Sequence, residues 1–296
     1  MKIREIIDLA MKMGASADPR RRAALGSPID LYPDSGLLWG DPEAKVRTVL
    51  VGIDITPAEV LLANELERRG KKIDLMIAHH PDGKQLLNLH GVMDIQIEIL
   101  RRAGVPISVA EKVLAPKKTF VQQENAVHNH FQVLDMARIL GIPLANIHTP
   151  ADNLAWRSID SLVQKAKAKT VSELIAKLSE IPEFKLSAAR GTNNLLFSGE
   201  KNSSIGKVVV LGVTGGTAGS ENIYRELKQF GVGTEIACHL PEKNREEAVK
   251  NYINVIVPGH IASDSLGMNF ILDELTEQGI EIIACSGLIR HNRKQS

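Results

Sequence analysis

The chain has 296 residues, a formal net charge of +1 and 44% hydrophobic residues, which suits one large or two medium globular domains and excludes fibrous and disordered classes. Near-neutral charge and 4% aromatic residues argue against a nucleic-acid partner, and the basic clusters Arg20-Arg21-Arg22 and His291-Asn292-Arg293-Lys294 read as solvated loops. The two distant cysteines, Cys238 and Cys285, suggest neither a disulfide framework nor a thiolate zinc site. With no signal-peptide core and no membrane-length apolar run, a cytoplasmic location without membrane contact is expected.

Ile3, Ile6, Ile7, Leu9 and Ala10 recur at helical spacing, predicting a helix that Gly14 ends and a polar loop to about Gly36. Residues 46–54 alternate and then turn apolar, as a strand does. Thr56-Pro57-Ala58-Glu59 is a capping box that opens a helix reaching Gly70. Residues 75–78 form a short apolar run ended by His79-His80-Pro81-Asp82-Gly83, the mark of a buried strand meeting a turn. Residues 46–80 thus make one βαβ unit, expected to be parallel and right-handed.

Residues 86–102 read as helical, 105–109 as a short strand, and 121–140 as a long helix that carries His128 and His130 on different faces. A strand at 144–147 runs into His148-Thr149-Pro150-Ala151-Asp152. Helices are expected at 159–168 and 171–178, and a strand with a hairpin at 188–206. A buried strand at 207–212 leads into a glycine-rich loop, 213–219, and a helix at 220–230. Strands at 235–239, 255–257 and 280–284 alternate with helices at 243–252 and 265–278, the order of an α/β architecture.

Three groups pair histidine with a carboxylate at a strand's end: His79-His80-Pro81-Asp82, His148-x-x-x-Asp152 and His260-x-x-x-Asp264. Imidazole plus carboxylate suits zinc, manganese or iron, and adjacent histidines that point to opposite faces suit two ions better than one. Each group alone has a plainer explanation. Thr149 and Asp152 fit a helix start, and Ser263 or Asp264 could cap the helix that follows. Three such groups at strand ends favour the metal. His239 also follows a strand and is a possible substrate contact. The loop Gly212-Val213-Thr214-Gly215-Gly216-Thr217-Ala218-Gly219 lacks both the P-loop ending and the dinucleotide spacing. It is either a tight turn or an anion cradle in which Thr214 and Thr217 contact substrate.

Nearly end to end, the chain resembles the Nif-three-like family, also called type-two-like GTP cyclohydrolases. Asp34-Ser35-Gly36-Leu37, the 49–56 strand with its Asp54-Ile55-Thr56 turn, His79-His80-Pro81, His148-Thr149-Pro150-Ala151-Asp152 and Gly259-His260-Ile261-Ala262-Ser263-Asp264 carry the resemblance. It implies two related α/β lobes, with mixed sheets flanked by helices, divided as 1–155 and 156–296, and a dinuclear metal site between them. It also implies a ring-shaped homo-oligomer, often a hexamer. By resemblance the ligands are His79, His80, Asp152, His260 and Asp264, with His148 close by and Asp82 a nearby candidate. Asp264 stands where the family usually has glutamate, about 1.5 Å longer in reach. The expected function is metal-dependent hydrolysis, water attacking a C–N, amide or phosphate centre of a small, nucleotide-like substrate. The alternative is a non-enzymatic metal-binding or regulatory scaffold.

Overall fold

The computed structural model describes residues 1–20, 31–192 and 195–294. Arg21, Arg22 and the rest of residues 21–30 in the expected loop before Gly36 lie outside them, as do residues 193–194 of the expected hairpin. Helix α1 (Ile3–Ala17) buries Ile3, Ile6, Ile7, Ala10 and Met11 on one stripe. It runs through Gly14 instead of ending there, because a Cβ at Gly14 would lie 2.4 Å from Pro150 Cα; the glycine admits a neighbour and does not stop the helix.

Strands β1 (Gly36–Trp39) and β2 (Thr48–Gly52) precede α2 (Pro57–Arg68), which Thr56 and Glu59 cap reciprocally as the sequence predicts. Strand β3 (Leu75–Ala78) is buried throughout. Asp82 then caps α3 (Gly83–Leu87), and the expected 86–102 helix is divided into a 3-10 turn (Leu89–Val92) and α4 (Asp94–Arg102). The strand expected at 105–109 is absent; Val105, Ile107 and Val109 alternate, but Pro106 opens α5 (Ile107–Ala126). That helix and α6 (Gln132–Leu140) replace the single helix expected at 121–140. The break falls at His128-Asn129-His130, where Asn129 Oδ1 accepts from the Phe131 N–H and offers the backbone a local alternative to the helix.

Strand β4 (Leu144–Asn146) leads into α7 (Thr149–Ala166), which crosses the expected division at residue 155. After α8 (Val171–Leu178) and an unforeseen α9 (Pro182–Ala189) come β5 (Leu195–Ser198), β6 (Lys207–Val210), α10 (Ile223–Gln229), β7 (Val232–Ile236), α11 (Glu242–Lys250), β8 (Asn254–Val257), α12 (His260–Glu277) and β9 (Glu281–Ala284). Strand β5 pairs antiparallel with β8, so the expected local hairpin is replaced by a long-range pairing.

The strands form two sheets, ordered β1-β4-β3-β2-β9 and β5-β8-β7-β6. In each, an edge strand (β1 or β5) is antiparallel to its neighbour while the rest are parallel. The order 1-4-3-2 is therefore repeated as 5-8-7-6, and two related α/β lobes are visible in the topology alone. The added strand β9 pairs parallel with β2 of the first sheet. Period-2 alternation divides that sheet's faces: Val49, Val51, Leu75 and Ile77 enter the main core, whereas Leu50, Met76 and Leu144 join a second cluster with Val60 and Ala63 of α2 and Val133 and Ala137 of α6. Helices α7 and α12 pack on each other between the sheets, and α1 packs on α7.

The tail cluster is a loop, but one anchored by ion pairs at and beside it. Arg290 Nη1 lies 2.6 Å from Asp273 Oδ1, Lys294 Nζ lies 2.7 Å from Glu274 Oε1, and Arg293 pairs with the buried Glu183. Among the described residues, no helix is long and apolar enough to cross a membrane.

Candidate metal centre

The C-terminal ends of both sheets face one another, and the sequence places its histidines there. Past β3, the backbone N–H of His79 donates to Gly52 O at 3.0 Å and that of His80 to Ile53 O at 2.9 Å, which holds the chain extended beside the end of β2. Consecutive side chains then diverge; the two rings lie 5.1 Å apart and tilted by 48°. His148 follows β4 at the N-cap of α7, and Asp152 is one turn later on the same helix face. His260 opens α12, with Asp264 again four residues on. Neither carboxylate is a cap. Helix α12 begins at His260, earlier than the expected 265, so Asp264 lies within it, and Ser263 Oγ donates to Gly259 O.

Each of the three innermost imidazoles is oriented through its Nδ1. His79 donates to Ile147 O at 3.0 Å, His80 to Asp54 Oδ1 at 2.7 Å, and His148 to the fully buried Asp34 at 2.8 Å. These bonds make Nδ1 the donor in each ring and turn Nε2 inward, the arrangement that supports metal-binding histidines. Asp34 also accepts from the Thr149 hydroxyl at 2.6 Å, and Ser35 Oγ accepts from the His148 N–H. Asp34 and Asp54 are site residues that strand-end reasoning missed. Their only sequence signal is their place in segments that resemble the family's, because they precede the histidines they hold by 114 and 26 residues.

The inward-facing nitrogens meet two carboxylates. His79 Nε2 is 3.4 Å from Asp152 Oδ1 and 3.7 Å from Asp264 Oδ1; His148 Nε2 is 3.7 Å from Asp152 Oδ2. Asp264 Oδ2 lies 3.5 Å from His80 Nε2 and 3.4 Å from His260 Nε2. His79, His80 and Asp264 form one group able to hold a metal ion, and His79, His148 and Asp152 another. His79 belongs to both, and His148 enters as directly as Asp152 does.

Electrostatics agree with a cation. Burial holds His79 down at about 3, so it is neutral at pH 7 and its lone pair confronts carboxylate oxygens. Burial likewise pushes Asp152 up to about 6. At His80 burial opposes the imidazolium, but Asp264 and Asp54 outweigh it and raise the ring to about 10. Asp264 Oδ2 is buried without a hydrogen-bond partner among the described residues. The His79 lone pair facing carboxylate oxygens at 3.4 and 3.7 Å, beyond good hydrogen-bond distance, is relieved by a shared positive ion, and an imidazole–carboxylate donor set suits Zn, Mn or Fe.

Beside the cluster is a cavity of about 30 Å³ lined by Asp152, Asp264, His260, His239, Thr214 and Thr217, with Cys238 and His148. The His239 and His260 rings lie 5.0 Å apart between centroids, tilted by 41°. Thr214 is not free to contact a ligand through its proton, because its hydroxyl donates to Asn153 Oδ1 at 2.6 Å. Asp82 is spent elsewhere: its carboxylate accepts from the Gly83 N–H at 2.8 Å as the cap of α3. The topological repeat sets Cys238-His239 after β7 opposite His79-His80 after β3, and His260-x-x-x-Asp264 opposite His148-x-x-x-Asp152.

Fold and site together define a two-lobed α/β protein with a buried His/Asp cluster suited to metal. Over 96% of its length, this chain superposes on 98% of a NIF3 superfamily protein from Sphaerobacter thermophilus, with a TM-score of 0.82 and 30% identity. The chain belongs to the NIF3 superfamily. The reduced HcgD of Methanocaldococcus jannaschii (TM-score 0.56, 15% identity, 96% of this chain and 97% of that one) shares the fold. So does TTHA1606 of Thermus thermophilus (0.54, 15%, 99% and 100%). No family model and no curated protein matches the chain.

Proposed function

We propose that His79, His80, His148, Asp152, His260 and Asp264 hold two divalent cations and that the protein is a metal-dependent hydrolase of small substrates. The observation that carries this is Asp264, whose two oxygens face different imidazoles, Oδ1 toward His79 and Oδ2 toward His80 and His260. Its shorter side chain reaches both sides because α12 begins at His260 and carries it between them. Ions held there supply Lewis acidity and a nucleophile from water near neutral pH. The chain supplies the rest. Asp34, Asp54 and the Ile147 carbonyl hold three rings with Nε2 inward, and the buried walls keep bulk water from the carboxylates. C–N, amide and phosphate centres, including those of nucleotide-like molecules, are the substrates this chemistry reaches.

Elemental analysis of protein purified without added metal is expected to give about two ions per chain. His79→Ala, which removes the residue common to both groups, should lose metal and any turnover on a panel of phosphoester, nucleotide and amide substrates supplied with Zn, Mn or Fe, while remaining folded. Absence of metal even after soaking would reject the site; turnover that survives in His79→Ala would reject the mechanism. The size of the adjoining cavity, about 30 Å³, favours a second reading. It has room for a few waters or a small anion but not for a whole nucleotide-like molecule, as expected of a protein that handles metal without transforming a large substrate. Metal at full occupancy without turnover on the panel supports that reading. A cytoplasmic homo-oligomer, a hexamer by family likeness, is part of the proposal. Phe120, Val127, Phe131 and Ile139, all more than half exposed along α5, α6 and their connection, support association, and light scattering tests it.

A further inference from the structure

The loop at residues 213–219 is held through its carbonyl groups and through the Thr214 hydroxyl, which donates to Asn153 Oδ1. Gln96 Nε2, reaching from α4 in the first lobe, donates to Gly215 O at 2.9 Å and to Thr217 O at 2.8 Å. Asn244 Nδ2 of α11 donates to Gly219 O at 3.0 Å, and the Cys238 N–H donates to Gly212 O at 3.3 Å. None of the loop's backbone N–H groups donates to a described residue. Most of the loop is nonetheless buried, Thr214 being 2% exposed and Val213 4%. Buried amides without acceptors are costly and seldom left so. The loop also approaches its support too closely for side chains: a Cβ at Gly215 would lie 2.8 Å from Gln96 Cγ, and one at Gly216 3.1 Å from Val92 Cγ2, with both glycines at positive φ. The cavity that the loop lines is also lined by Asp264, whose Oδ2 is buried without a hydrogen-bond partner among the described residues.

We propose that this loop is an oxyanion cradle that binds a phosphate group of the substrate beside the metal cluster, with Gln96 and Asn244 as positioning residues that turn its carbonyls away and its amides free. Successive amides gathered by glycines at positive φ bind phosphate without any basic side chain. The Thr217 hydroxyl, which lines the cavity and makes no hydrogen bond to a described residue, adds a donor. The inference deepens the hydrolase reading by naming phosphate-bearing compounds as its substrates, and it rests on that reading for turnover but not for binding.

The test is a titration of the intact protein with inorganic phosphate, followed by phosphorus NMR line width, with metal content and melting temperature measured on each sample. Gln96→Leu is expected to weaken phosphate binding about tenfold, the loss of two buried hydrogen bonds, with metal content unchanged. Thr217→Val, a shape-conserving change that leaves the support intact, should weaken it about threefold. If wild-type protein binds no phosphate, or if both variants bind it as well as wild type does, the cradle is wrong and any bound phosphate sits on the ions. Protein that proves metal-free rejects the metal reading, while the same titration still decides the cradle.

Discussion

Asp34 is placed to decide whether His148 can act as a ligand. It is fully buried and accepts from both the His148 ring and the Thr149 hydroxyl. Asp34→Asn keeps the shape but can turn a donor toward Nδ1, which favours the wrong tautomer. Competition with a chromophoric chelator should give a metal affinity lower by about 10- to 100-fold, the usual effect of losing such a support. At this scale the sequence is informative about residues that follow apolar runs, because strand ends are legible and their histidines announce themselves. It is silent about Asp34 and Asp54 as partners, since a hydrogen bond across 114 residues leaves no local pattern. The caps show the opposite limit. Thr56-Pro57-Ala58-Glu59 is a local device and folds as read, whereas Asp152 and Asp264 satisfy the same residue preference yet point into the cluster.

Between elements, the start of α7 is gripped from two sides. A Cβ at Gly267 of α12 would lie 2.2 Å from Ala151 O, and one at Gly14 of α1 would lie 2.4 Å from Pro150 Cα. Two helices thus press on the turn that carries His148 and Asp152. Gly267→Ala raises helix propensity by about 1 kcal/mol but must push α7 and α12 apart. The expected result is a net loss of about 1–3 kcal/mol in denaturant unfolding, accompanied by weakened metal binding, because His148 and Asp152 move relative to Asp264. Unchanged stability would show that the two helices adjust without separating. Sequence reading takes Gly14 as a helix stop because glycine usually marks a break; only the third dimension supplies the proline that explains it. Residues 105–109 mislead for a related reason. Their alternation matches a strand, but a proline suited to opening a helix and the packing of α5 on α4 decide the outcome.

Across the whole molecule, stability should depend on pH through an acid remote from the histidines. Glu235 on β7 is 3% exposed and has one oxygen without a hydrogen-bond partner among the described residues, and burial pushes it up to about 7 from an ordinary 4.5, against a bond from Tyr224 that lowers it. The folded chain therefore keeps a proton that the unfolded chain gives up. This contribution is fully present below pH 4.5 and is lost as pH rises through about 7. Its size is roughly 3 kcal/mol at most. Melting temperatures measured across that range should fall with rising pH in wild-type protein and less steeply in Glu235→Gln; parallel curves would exclude Glu235 as the cause. The α/β class and the order of most elements were legible from alternating periodicities, and the two-lobe arrangement from family likeness. The repeat of strand order was not, because pairing order is a property of contacts between distant segments.

Strand β9 has a kinetic consequence. It lies against β2, and the facing residues Thr48 and Glu281 are 233 positions apart in the chain. Closing so large a loop is entropically slow, and contacts of this span delay folding. Until residues 281–284 arrive, β2, buried at every position in the finished protein, is an open apolar edge able to pair with another chain. Refolding from denaturant should accordingly be most prone to aggregation in the interval after the first sheet forms and before the second lobe returns its last strand to cover it.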